Sequence, residues 1–123
     1  RANISARRAR VQVYRELLTS CPGLELIAHR NGSACLTQVI RIVSRRRGAD
    51  LATKLISTLG ALGYEVQGSY VPIHLLPSFG QCVWDHLPCA ERVWPELVEL
   101  PCEPSVSLAD IERIAAIVKN TVG

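Results

Sequence analysis

An α+β fold, a small three- to four-stranded sheet with helices packed on it, follows from three features of this 123-residue sequence. Segments near the two ends, one opening at Ile4 and one closing at Val122, carry apolar residues at helical spacing. Between them "ACLTQVIRIV" (34–43) is β-branched and apolar on both parities, the pattern of a strand inside a sheet. The remaining extended runs are short and bounded by Pro or Gly, so the other strands are short too.

The first helix reads "ISARRARVQVYRELLTSC". Ile4, Val11, Tyr14, Leu18 and Cys21 share a stripe by steps of three, four and seven, while Arg7, Arg8, Arg10, Arg15 and Glu16 take other faces. Pro22-Gly23 stops it, since Pro cannot continue the hydrogen-bond ladder and Gly tolerates the reversal. "LELIAH" then alternates Leu24, Leu26 and Ala28 against Glu25, Ile27 and His29, which predicts a strand; Asn31-Gly32-Ser33 is a turn signal. The 34–43 run predicts a central strand covered on both faces. A second helix is expected from an N-cap at Asp50, burying Leu51, Leu55, Leu59 and Leu62 and ending at a left-handed Gly63. "YEVQGSYVPI" predicts a strand that Pro72 restricts to an edge or a strand end. "LPCAERVW" predicts a short helix, and "ELVELPCEP" an extended segment with Glu96, Glu99 and Glu103 on its wet side. The last helix opens at Ser107, with Asp110 as the acidic partner of a capping box, and buries Ile111, Ile114, Ala115, Val118 and Val122.

Length allows one domain spanning 1–123. Composition, with 48% hydrophobic and 20% charged residues, is that of an ordinary globular domain. The longest uncharged run, "YVPIHLLPSFGQCVW", holds two prolines and is no membrane span, and no signal-peptide pattern opens the sequence. A net charge of +3, carried mostly by arginine, with a single Phe and no aromatic interleaving, does not point to nucleic acid. Five cysteines without a secretory leader predict reduced thiols in a cytoplasmic protein. An opening Arg1 and the absence of Met suggest a sequence cut from a longer one.

Several features could carry chemistry. Arg45-Arg46-Arg47 could meet phosphate ahead of a helix N-terminus, although a solvated loop explains it more economically. Cys82, His86, Cys89 and Cys102 have zinc-ligand chemistry but lack a C-x2-C knuckle, so ordinary buried cysteines are expected ahead of a zinc module. Cys–His nucleophile pairs and paired carboxylates find no support in spacing. His74, between "VPI" and "LLPSF", is either a satisfied core group, the commoner role of a His among apolar residues, or one facing a ligand; its place between an edge strand and an irregular loop raises the weight of the second.

The ordered set of motifs resembles the C-terminal end of the DegT/DnrJ/EryC1/StrS sugar aminotransferases. Gly63 is the helix exit, Tyr70-Pro72-His74 the "Y-x-P-x-H" segment, Pro77-Phe79 the proline-Phe loop and Ala90-Glu91 the "A-E" helix. Leu100-Pro101 is the "L-P" strand and Ser107-Asp110 the opening of the last helix. "RRARVQVYRELL" resembles the helix with which that family enters its small domain. The resemblance implies the small domain of a pyridoxal-phosphate enzyme that aminates a keto nucleotide-sugar, with glutamate or another amino acid as donor. It further implies that His74, with Tyr70, faces the sugar, and that the whole enzyme is a homodimer. The Schiff-base lysine and its acidic partner belong to a large N-terminal cofactor domain that cannot be mapped here; Lys54 and Lys119 fall in helical patterns outside that motif. The domain alone is therefore expected not to transaminate. The competing expectation is a stand-alone, non-catalytic binding or assembly module with the same fold.

Overall fold

Helices form where the apolar stripes predict them, and the computed structural model describes residues 2–44, 47–82 and 86–123. In chain order the elements are α1 (Ala2–Leu18), β1 (Leu24–Leu26), β2 (Thr37–Ile42), α2 (Gly48–Ala61) and β3 (Gln67–Gly68). Two 3₁₀ turns, Ile73–Leu75 and Pro77–Phe79, lead to α3 (Pro88–Val93). A third turn, Trp94–Glu96, runs into β4 (Leu97–Pro101), and α4 (Leu108–Val122) follows. The strands pair antiparallel in the order β1-β2-β4-β3, with Ile40 opposite Leu26 on one side and Val98 on the other. This is the α+β layer that the sequence predicts.

The core lies on one face of the sheet. Gln38, Ile40 and Ile42 of β2 and Val98 and Leu100 of β4 are buried beneath Val11, Tyr14 and Leu18 of α1. Ala52, Leu55 and Leu59 of α2, with Ile111, Ile114, Ala115 and Val118 of α4, complete that layer. The other parity of β2, Thr37, Val39 and Arg41, is only half-buried, which corrects the expected two-sided burial. The neighbouring strands explain this. Across from Arg41 stands Glu25, and across from Val39 stands Glu99, so a second apolar layer would have to desolvate carboxylates.

Several element ends also depart from expectation. Tyr14 Oη donates to the Pro101 carbonyl at 3.2 Å, and Arg10, assigned to an outer face, donates to the carbonyls of Val106 and Pro104, each at 2.8 Å. α1 ends at Leu18, before Cys21, and Ile4 is exposed. The strand read in "LELIAH" stops after Leu26; Ala28 is exposed and His29 turns inward. The Asn31-Gly32 turn is present, with Ser33 N–H donating to Arg30 O at 3.1 Å, but residues 27–36 form a long connection around it. β3 lies at the sheet edge, the place Pro72 allows, but is only two residues long, much shorter than the expected run.

Asp50 is not the N-cap of α2. The helix begins at Gly48, and Asp50 lies in its first turn, where a negative charge complements the helix dipole. Gly48 is buried so tightly that a Cβ there would stand 2.6 Å from the Ile42 carbonyl oxygen. Only glycine lets α2 start this close to the end of β2. The other end follows expectation: Gly63 has φ +86°, its N–H donates to Gly60 O at 2.9 Å, and Tyr64 N–H reaches Leu59 O at 3.1 Å, a Schellman closure. Leu62, placed on the buried stripe, is instead 57% exposed because it is the residue at which the helix unwinds. Ser107 caps α4, its Oγ accepting from Asp110 N–H at 3.1 Å and donating to Asp110 Oδ2 at 2.6 Å. Tyr64 Oη donates to the other oxygen of that carboxylate at 2.9 Å, tying the α2 exit to the start of α4.

Two outcomes follow. Gly48→Ala should destabilise the domain by about 1–3 kcal/mol, read from the urea midpoint, because backbone rather than a flexible side chain occupies the Cβ position. Burial, with a smaller push from Glu103, raises the Cys102 thiol to about 12, and burial raises Tyr14 above its ordinary phenolic range as well. Both are held neutral in the fold. Their contribution to stability is complete below the thiol's ordinary 9.0 and is lost as pH climbs from there toward 12. The urea midpoint should therefore fall above that lower limit, and less steeply in Cys102→Ala.

Candidate functional site

Beyond β3 the chain crosses the sheet edge and forms the segment that carries His74. Pro72, at φ −52° and ψ 134°, delivers an extended backbone into the first 3₁₀ turn, closed by Leu75 N–H to Pro72 O at 2.9 Å. Pro77 then opens the second turn, closed by Gly80 N–H to Pro77 O at 3.1 Å. Side chains alternate along this strip. Val71, Ile73 and Leu75 are exposed, while Pro72, His74 and Leu76 turn inward.

The His74 side chain is 8% exposed, and its Nε2 lies 3.1 Å from Glu91 Oε1 on α3. The same carboxylate oxygen is 3.6 Å from Nδ1 of the exposed His86. An ionised carboxylate only accepts, so Nε2 carries the proton in this contact and Nδ1 becomes the acceptor of the ring. Glu91 thus fixes both tautomer and ring orientation. Sequence reasoning placed Glu91 in a motif but gave it no role; its distance of 17 positions from His74 hides the pairing. Tyr70 is 83% exposed, and its hydroxyl makes no hydrogen bond among the described residues. Around these groups Val71, Ile73, Leu75, Phe79 and Leu87 expose a run of apolar surface, the kind of patch that marks a contact face.

A second feature lies on the open face of the sheet. A cleft of about 440 Å³ gathers Glu65, Glu99 and Glu103 with Thr37, Gln67 and Pro101. Gln67 Nε2 donates to Glu99 Oε2 at 3.2 Å. Glu96, expected on the wet side, is instead drawn in by Arg41 at 2.8 Å, with 14% of its side chain exposed. Arg41 also reaches Glu25 at 3.4 Å, and Glu96 holds its guanidinium firmly protonated.

The remaining sequence candidates separate. Cys82 and Cys89 are exposed, Cys102 is buried behind β4, and no group of three or more metal-binding side chains assembles among the described residues. The zinc reading loses its geometry. Arg45 and Arg46 lie outside the described residues, and Arg47 is exposed. Lys54 and Lys119 are both exposed, on α2 and α4. No helix among the described residues is long and apolar enough to cross a membrane.

With this geometry in hand, comparison with known proteins is specific. The chain is 32% identical over 74 residues to GDP-perosamine synthase of Caulobacter vibrioides, a match covering 58% of this chain and 20% of that enzyme. Its fold superposes on the aminotransferase TlmJ of Streptoalloteichus hindustanus with a TM-score of 0.81 at 24% identity, over 98% of this chain and 32% of the other. It superposes equally on Helicobacter pylori PseC, an aminotransferase involved in pseudoaminic acid biosynthesis, with a TM-score of 0.84 at 19% identity, over 98% and 33% of the two chains. The chain thus spans a fifth to a third of the length of these relatives. The DegT/DnrJ/EryC1/StrS aminotransferase family model matches residues 1–119, and the chain belongs to that family.

Proposed function

We propose that residues 1–123 form the small, C-terminal domain of a pyridoxal-phosphate-dependent nucleotide-sugar aminotransferase. In this reading the domain positions the sugar and helps close the cleft, while the cofactor and its lysine reside in a separate large domain. One observation carries the proposal: an exposed apolar strip, Tyr70 to Phe79, flanks an imidazole whose orientation is already set by Glu91. Binding sites favour such junctions between domains, where apolar walls surround a few fixed polar groups. The family membership and the share of each relative that the chain covers support the same division.

The lysines of this domain are not placed to hold the cofactor. Lys54 and Lys119 are exposed, and among the described residues neither lines the clefts set out here. The acidic cleft on the open sheet face would repel a phosphate. No proton-transfer step is therefore assigned to this domain. Its contribution is orientation: with Nε2–H engaged by Glu91, Nδ1 of His74 accepts from a sugar hydroxyl, and the Tyr70 hydroxyl offers a second polar contact. The reading extends to a homodimer, a cytoplasmic location and an amino-acid donor, as in the resemblance set out above.

The test uses the full-length polypeptide that joins this domain to a cofactor domain. His74→Ala should raise KM for the sugar substrate about tenfold, equivalent to ~1.4 kcal/mol, while the cofactor absorbance stays intact. Loss of cofactor instead would contradict the assignment. Glu91→Gln, which keeps the shape but weakens the contact that orders the ring, should raise the same KM by a smaller factor with kcat little changed. An unchanged KM in both variants would remove His74 from the sugar site.

A further inference from the structure

At the sheet edge opposite β3, α1 and the connection from β1 to β2 enclose a cleft of about 420 Å³. Arg8, Gln12 and Arg15 of α1 form one wall, and His29, Arg30 and Asn31 the other. No carboxylate lines it among the described residues. Glu16, the residue after Arg15, accepts from Gln12 Nε2 at 2.9 Å and lines the adjoining cleft.

The three guanidinium groups differ in how they are held. Arg8 spans the cleft, its Nη2 and Nε donating to Ser33 O at 3.2 and 3.4 Å, which fixes one charge against the opposite wall. The side chains of Arg15 and Arg30 make no hydrogen bond or ion pair among the described residues. His29 adds a polar ring to the same wall. Its Nδ1 lies 3.2 Å from Ser33 Oγ, and its buried Nε2 has no partner among the described residues. Three cations line one concave site with amide and hydroxyl groups, and no carboxylate lines it among the described residues, Glu16 lying in the adjoining cleft.

We propose that this cleft binds a phosphate-bearing small molecule, with a doubly charged phosphate group seated among Arg8, Arg15 and Arg30. Guanidinium forks match phosphate oxygens two at a time, and a dianion offsets the mutual repulsion of the three charges. The volume is that of a small-molecule site. A nucleic acid fits less well, because no Phe, Tyr or Trp lines the cleft among the described residues to stack a base. The proposal stands apart from the sugar-site reading, since it uses the other edge of the sheet.

The experiment titrates inorganic pyrophosphate into the purified, isotope-labelled protein at low salt and follows backbone amide resonances. Saturable shifts confined to residues 8–15 and 28–35 are expected. Arg15→Gln combined with Arg30→Gln should weaken binding at least about tenfold, the scale of losing charge-assisted hydrogen bonds, with an unchanged melting temperature in the absence of ligand. His74→Ala should leave the titration unaltered. Four results would overturn the proposal: no saturation by about 10 mM, a concentration far above any useful Kd; equal shifts from sodium chloride at matched ionic strength; binding undiminished in the double variant; or loss of binding in His74→Ala. Saturation of the same residues by a single-stranded oligonucleotide, with pyrophosphate failing to compete, would also reject the small-molecule assignment.

Discussion

One-sided burial of the β2–β4 pair is the constraint on which the rest of the structure depends. Ile40, Ile42, Val98 and Leu100 are sealed beneath α1, α2 and α4, and the same pair turns Arg41, Glu99 and Val39 to the other side. Because adjacent strands place opposite residues on the same face, the helical layer and the polar layer are settled together. Shifting β4 by one residue would put Glu99 under the helices and Val98 in the open, and shifting β2 would do the same to Arg41 and Ile40. The register is therefore held by the cost of burying a carboxylate as much as by the gain from burying apolar surface.

That division also places the chemistry. With every long helix on one side, the connections that leave the sheet edges have no layer to pack beneath. At the β3 edge the chain passes into two 3₁₀ turns whose apolar side chains are left outside. His74 is kept from joining them by Glu91, whose carboxylate gives the ring a reason to turn inward. A polar group that is mostly covered but hydrogen-bonded is stable where it stands, and it is also preorganised. His74 is thus satisfied locally by Glu91, while the apolar side chains around it stay exposed.

The charges sort in the same way. Carboxylates collect on the open face of the sheet, in the cleft of Glu65, Glu99 and Glu103. Arginines collect behind β1, along α1 and the turn at Arg30. A net charge of +3 conceals this, because composition averages over both edges. Local potentials, not the total, decide which ligands approach each cleft.

Helix identity was legible in the sequence wherever a stripe met a terminating residue. The Ser107 cap, the Gly63 exit and the apolar spacing of α1, α2 and α4 are local signals, and the structure honours them because short-range hydrogen bonds and helix periodicity need no knowledge of the rest of the chain. Motif order likewise sufficed to identify the family. What the sequence could not contain were decisions made between distant residues. The start of α2 at Gly48 depends on the Ile42 carbonyl, the inward turn of His74 on Glu91, the capture of Glu96 on Arg41, and the bare face of β2 on carboxylates in two other strands. Each is a close approach of groups brought together by folding, and such contacts, being short in space and long in sequence, are set by tertiary structure alone.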